Sequence, residues 1–174
     1  MLKIAILGPE STGKTMLAGQ LAEHFNAPWI PEYAREYVEK LKVPYTYEDV
    51  CKIALKQIDE EQAIDSLAST ADYVFFDTEL IITKVWFSFR FGQVPEFLTE
   101  QLNTGFFDLY LLCAPDLPWE PDPVREHGED REFFFNWYKK EIELTGKSCY
   151  IVSGMGKKRF ENALVGLKTL GGNT

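Results

Sequence analysis

Gly8-Pro9-Glu10-Ser11-Thr12-Gly13-Lys14-Thr15 fits the phosphate-binding pattern G-x-x-x-x-G-K-[ST] and stands directly after the apolar run Leu2–Leu7. Glycines let such a loop curl so that its backbone N–H groups point inward, and the helix that follows adds the positive end of its dipole to the same anion hole. Gly8, Pro9, Glu10, Ser11, Thr12, Gly13, Lys14 and Thr15 are therefore expected to cradle a nucleoside triphosphate. Lys14 is the expected catalytic clamp on the β- and γ-phosphates, and the Thr15 hydroxyl is the expected ligand of Mg²⁺.

The pattern on either side agrees with that reading. Leu2–Leu7 is the first strand, and Leu17, Leu21 and Phe25 have the spacing of a helix that packs one face on a sheet. Residues 28–31 are expected as a second strand, 32–42 as a helix, and 47–67 as a long amphipathic helix whose Asp59-Glu60-Glu61 cluster reads as solvated surface. Tyr73-Val74-Phe75-Phe76, ending at Asp77, reads as a buried strand, followed by helices over 79–91 and 96–106. Leu109–Cys113 is a fourth strand, 130–144 a helix, 150–152 a fifth strand and Lys157–Leu170 a closing helix. Strands alternating with helices predict a five-stranded parallel sheet covered on both faces, a three-layer α/β/α phosphate-loop fold in a single domain over 1–174.

Composition excludes several function classes. Eighteen Lys and Arg against 27 Asp and Glu give a net charge of −9, a field that repels phosphodiester backbones, so no nucleic-acid partner is expected. Cys51, Cys113 and Cys149 are odd in number and contain no C-x-x-C pair, which suits reduced thiols in a cytoplasmic protein better than a disulfide frame or zinc site. Met1 runs at once into the first strand and no apolar stretch has the length of a membrane span, so neither a signal peptide nor a membrane partner is expected.

The loop by itself does not choose among GTPase, oligomeric ATPase and small-molecule kinase. A GTPase needs N-K-x-D and D-x-x-G, and neither string occurs. Larger ATPases carry two adjacent acids after the metal-binding strand, whereas here the string is Asp77-Thr78-Glu79. A kinase needs a lid with arginines, because the transferred group is charged and must be kept from water. The Pro-rich segment 115–131, with Arg125 and Arg131, answers that need.

Taken together, the phosphate loop, Pro31-Glu32-Tyr33-Ala34-Arg35-Glu36-Tyr37, Phe75-Phe76-Asp77-Thr78-Glu79, Trp86, Phe91-Gly92, Asp108-Leu109-Tyr110-Leu111-Leu112 and Pro115-Asp116-Leu117-Pro118-Trp119 resemble the ribosylnicotinamide kinase domain of the bacterial bifunctional NAD-biosynthesis regulator. The resemblance runs from the first strand to Arg131 and implies a fold similar to nucleoside monophosphate kinases. It also implies transfer of the ATP γ-phosphate to the 5′-hydroxyl of a small-molecule substrate, nicotinamide riboside. Two departures stand out: Asp122 is followed by Pro123 where the family carries glycine, and the H-x-G-H string of the family's adenylyltransferase domain is absent.

Asp77, at the end of a buried strand beside the loop, is placed either to hold the Mg²⁺ shell or to take the proton of the attacking hydroxyl; a helix cap is the bland alternative. Glu32 and Arg35, one helical turn apart, point either into the acceptor pocket or to solvent as an i, i+3 pair. Glu10 faces either solvent or the ribose hydroxyls. A pyridinium ring suits a pocket of aromatic faces and carboxylates, which nominates Tyr33, Trp86 and Trp119 as stacking residues against their use as core. Ser153-Gly154 is where related kinases pass the adenine base, though a mere turn fits equally well.

Overall fold

The computed structural model describes residues 1–65, 70–122 and 128–170. Strand β1 (Leu2–Leu7) buries its last four residues completely, because it is the central strand of the sheet. With β2 (Trp29–Ile30), β3 (Tyr73–Asp77), β4 (Leu109–Cys113) and β5 (Ser148–Val152) it forms a parallel sheet in the order β2-β3-β1-β4-β5. Parallel neighbours require crossovers over the faces, which explains why β3 and β4 read as unbroken apolar runs rather than alternating ones. The chain leaves β1 toward β3 on one side and returns to β4 on the other. A loop that follows β1 therefore opens at the point where strand order reverses, the place where open α/β sheets bind ligands.

One face is covered by α1 (Lys14–Phe25) and α7 (Lys157–Leu170), whose Leu17, Ala18, Leu21, Ala163 and Leu167 pack on Ile4, Ile6, Phe75, Leu109 and Leu111. The other carries α3 (Tyr47–Asp65), α4 (Leu80–Phe91) and α6 (Arg131–Leu144), with Ile64, Ile81, Val85, Phe134 and Ile142 against Ala5, Leu7, Val74, Tyr110 and Leu112. A smaller cluster of Val50, Ala54, Leu80, Phe87 and Leu98 ties α3 and α4 to α5 (Glu96–Leu102). Helix α2 (Tyr33–Glu39) buries no residue. The α/β/α layering and the five strands are those expected, with differences at element ends. Helix α5 stops at Leu102 instead of running to 106, because Gly105 turns at φ +66° and Phe106 and Phe107 swing edge-on to Phe76. Helix α2 ends at Glu39 and β5 starts at Ser148, two residues before the expected position.

The solvated-surface reading of Glu61 is wrong. Gln57, Glu61 and Ile64 recur at i, i+4 and i+7, which places Glu61 on the buried face of α3 at 3% exposure. Its Oε2 accepts a hydrogen bond from Gln101 Nε2 at 2.7 Å. Close by is Glu79, at 2% exposure, with neither carboxylate oxygen hydrogen-bonded among the described residues. Burial pushes the Glu61 carboxyl up to about 7, against the opposing Gln101 bond and Lys3; burial and then the Glu61 charge hold Glu79 well above the carboxylate range. Tyr110 faces both groups and is raised by burial and by their charges.

A carboxyl whose folded pKa exceeds its unfolded value keeps a proton that the unfolded chain gives up, so its contribution is lost as pH rises. For Glu61 the window runs from the ordinary 4.5 to about 7. Above it the ionised buried group costs about 3 kcal/mol relative to the acid side. Glu61→Gln should therefore melt at a higher temperature than wild type at pH 8, with the two curves converging near pH 5. Thermal melts at both values check this, and a less stable variant at pH 8 contradicts it.

Candidate active site

The loop after β1 is shaped by what lies behind it. Gly8 has φ +149°, and a Cβ built there would lie 2.7 Å from the carbonyl oxygen of Cys113 and 2.9 Å from Thr12 Oγ1, so only glycine fits against β4. Ser11 and Gly13 follow in left-handed conformations at φ 57° and 74°, turning the backbone about an inward-facing concavity. Fully buried Thr12 donates its hydroxyl to the Pro9 carbonyl at 2.8 Å, and Lys14 Nζ donates to the same oxygen at 3.0 Å, which folds the ammonium back across the loop. Helix α1 starts without a side-chain cap, so its first N–H groups face the concavity.

Two carboxylates, Asp77 and Glu32, converge on Lys14. Asp77 ends β3 opposite Ile6, is 2% exposed, and neither of its oxygens is hydrogen-bonded among the described residues. Burial raises its pKa, opposed by the Lys14 charge and by the nearby Thr15 hydroxyl. The next residue, Thr78, holds a left-handed φ of 73°, a costly geometry for a β-branched residue, and its N–H bonds Ile6 O at 3.0 Å. Glu32 occupies the N-cap position of α2 without making a cap bond. Its carboxyl is raised first by burial and further by the Asp77 and Glu10 charges, with Lys14 and Arg35 opposing. Arg35 pairs with Asp122, and with Glu39 Oε1 at 2.9 Å.

A cavity of about 790 Å³ opens from the loop toward α2, α3 and α4. Of the residues singled out in the sequence, Pro9 to Thr15, Glu32, Arg35 and Trp86 line it; Gly8 backs the loop and Asp77 lies behind Thr15. Trp86 meets Tyr45 edge-on at 4.8 Å between ring centroids on the cavity wall. Tyr33, Trp119, Ser153 and Gly154 stand outside the lining: Tyr33 packs on Tyr37, and Trp119 lies 5.9 Å from the Arg131 guanidinium. Arg131 donates to Leu117 O at 2.8 Å and so props the segment whose Leu117, Pro118 and Glu120 roof the loop. That roof is tied down by Ser11 Oγ, which donates to Pro118 O at 3.3 Å and accepts from Glu120 N at 3.0 Å. Arg125 lies outside the described residues.

Several lining residues carried no signal in the sequence. Met155 and Gly156, rather than Ser153 and Gly154, reach the cavity, and Gln57, Thr83 and Tyr138 come to it from three helices. Arg159 looks like a surface residue of an amphipathic helix, yet it is 4% exposed and donates to Asp116 Oδ1 at 2.6 Å, Gly154 O at 2.7 Å and Ala114 O at 2.8 Å. Asp116 also accepts from Gly154 N at 2.6 Å; burial opposes ionisation, but these bonds hold its carboxyl below the ordinary range. This network joins the turns after β4 and β5 on one side of the cavity. Arg159→Leu should thus cost about 2 kcal/mol of stability, because half-exposed Asp116 loses its partner and two part-buried carbonyls lose their donor; denaturant unfolding measures it, and a change under 1 kcal/mol contradicts the assignment.

A family model described as an AAA domain matches residues 3–159. The chain is 34% identical over 140 residues to the trifunctional NAD biosynthesis/regulator protein NadR of Salmonella typhimurium, covering 76% of this chain and 33% of that protein. It thus spans about a third of the curated relative's length. Among solved structures it is similar to NadR protein in complex with NR, at TM-score 0.77 and 26% identity, covering 97% of this chain and 51% of that one. A NadR structure in complex with NAD and AMP-PNP gives TM-score 0.73 and 26% identity over 99% of this chain and 50% of that one. Thymidylate kinase from Ehrlichia chaffeensis shares the fold, at TM-score 0.63 and 15% identity over 94% of this chain and 96% of that one.

Proposed function

Because the chain belongs to the AAA domain family, we propose that the loop side of its cavity binds ATP and that the protein is a kinase acting on the 5′-hydroxyl of nicotinamide riboside. The observation that carries this reading is the convergence of Lys14, Glu32 and Asp77 where the loop meets a chamber walled by Trp86 and acidic groups. The similarity to NadR in complex with NR, taken as nicotinamide riboside, and to NadR with the ATP analogue AMP-PNP supports the two ligands. A pyridinium cation over an aromatic face beside carboxylates gains about 2 kcal/mol that a neutral base does not.

In this reading the loop N–H groups and the α1 N-terminus hold the triphosphate, and Lys14 moves from the Pro9 carbonyl to the β- and γ-phosphates. The unpartnered oxygens of Asp77 beside the Thr15 hydroxyl suit a hard cation, so these two residues would hold Mg²⁺, which when bound neutralises charge on the phosphates. Glu32, which unlike Asp77 lines the cavity and whose pKa is raised toward the working range, takes the proton from the 5′-hydroxyl. Leu117, Pro118 and Glu120, propped by Arg131, roof the loop and keep water from the transfer, the part expected of the 115–131 lid whose Arg125 lies outside the described residues. Met155 and Gly156 border the adenine, beyond the Ser153-Gly154 turn. Residues 1–174 act as one kinase unit in the cytoplasm, on a small molecule rather than a nucleic acid. Among the described residues no helix is long and apolar enough to cross a membrane.

Incubation with Mg²⁺-ATP and nicotinamide riboside should give nicotinamide mononucleotide, read by chromatography and mass. Lys14→Ala and Asp77→Asn should each lower kcat by about two to four decades with melting temperatures held, at about 1.4 kcal/mol per decade. Glu32→Gln should lower it similarly and abolish the acid limb of the pH profile, which in wild type is shifted upward from the ordinary glutamate value because ionised Glu32 is the working form. Turnover of ATP without a phosphorylated nucleoside would overturn the kinase reading in favour of a nucleotide switch.

A further inference from the structure

Two buried polar side chains on the acceptor wall have no part in phosphate binding. Gln57 of α3 and Thr83 of α4 are 8% and 1% exposed, and both line the cavity. Thr83 Oγ1 donates to Gln57 Oε1 at 2.7 Å, which fixes the amide's orientation across the helix interface. That bond uses one lone pair of Oε1. The second lone pair and both hydrogens of Nε2 are left, and Nε2 has no hydrogen-bond partner among the described residues although it is not sealed from the cavity. A primary amide held in one orientation with a donor and an acceptor open on the cavity gives up its hydration when a ligand enters, so it favours a ligand that replaces those bonds.

The chemistry of a group that would suit these atoms follows from their directions. An oriented amide that offers one donor and one acceptor side by side is complementary to another primary carboxamide, whose carbonyl accepts from Nε2 while its NH₂ donates to Oε1. Trp86 lies three residues beyond Thr83 on the same face of α4, and Gln57, Thr83 and Trp86 line the same cavity. We infer that Gln57 reads the carboxamide of the acceptor and is the residue that separates a nicotinamide riboside from a nicotinate riboside, with Thr83 as its positioning residue. The inference rests on the acceptor proposed above.

A carboxylate on the same ring fails on two counts. It has no hydrogen to give to Gln57 Oε1, and its charge enters a chamber that already holds Glu10 and Glu32. A ring with no substituent leaves the Gln57 amide desolvated and unpaired, and sites built to hydrogen-bond a substrate group discriminate strongly against analogues that lack it.

The test uses the full chain with Mg²⁺-ATP and three acceptors: nicotinamide riboside, nicotinate riboside and the riboside of unsubstituted pyridinium. In wild type, kcat/KM for the amide should exceed that of each of the others by about tenfold or more. Gln57→Met should reduce the amide's advantage over the unsubstituted ring to less than about threefold, through a fall in the amide's kcat/KM. Thr83→Val should shrink the same ratio partway, mainly through KM. A melting curve and the affinity for an ATP analogue report whether each variant is folded. The wild-type comparison of amide and unsubstituted ring needs no variant, and near-equal use of the two overturns the inference. So does an unchanged ratio in folded Gln57→Met, or one slowed equally for all three acceptors. Failure of wild type to phosphorylate any of the three overturns the acceptor reading itself, an outcome distinct from acceptance without discrimination.

Discussion

Everything at this site hangs on how closely the chain approaches itself at Gly8. The main chain there passes so near Cys113 that a methyl group would collide with a backbone carbonyl and with the Thr12 hydroxyl. That approach locks the start of the loop to the centre of the sheet, where β1 lies between β3 and β4. The left-handed turns at Ser11 and Gly13 then follow, and the N-terminus of α1 is aimed at the enclosed space. Lys14 is the first residue of that helix, so its ammonium and the inward-facing N–H groups of the loop are positioned by one geometric constraint.

A second theme is the concentration of buried negative charge around one lysine. Glu32 feels the charges of both Asp77 and Glu10, and burial is the largest effect on Glu32 and Asp77 alike. Placed like this they cost stability, and in the proposed reading a cationic acceptor and a divalent ion would relieve that cost on binding. The Glu61 and Glu79 pair, deeper between α3 and α4, faces no ligand in the same way. It lies outside the cavity lining and makes the fold sensitive to pH.

How much of this was legible in the sequence depended on whether the signal was local. The strand-loop-helix start, the five strands and the layering follow from apolar runs and their period, and the structure repeats them apart from element ends. Lys14, Glu32, Arg35 and Trp86 were found because a motif or a pattern marked them, and all four reach the cavity. Arg159 and Glu61 were missed because a charged residue on an amphipathic helix has no local mark of burial; only the partner segments, at 116 and 101, reveal it. Gln57 and Thr83 are separated by 26 residues and meet only when α3 packs on α4. Tyr33 and Trp119 lie outside the cavity lining, since aromatic character alone does not distinguish a ring in the cavity from one packed beside it.

The most direct measurement is a crystal structure of the chain with a non-hydrolysable ATP analogue and nicotinamide riboside bound together. The account predicts the triphosphate inside the Gly8 to Thr15 loop and the pyridinium ring against Trp86. It also predicts the 5′-oxygen within about 2.6–3.2 Å of a Glu32 oxygen, facing the γ-phosphorus. A nucleoside bound away from Trp86, or a 5′-oxygen turned away from both Glu32 and the γ-phosphate, would contradict it.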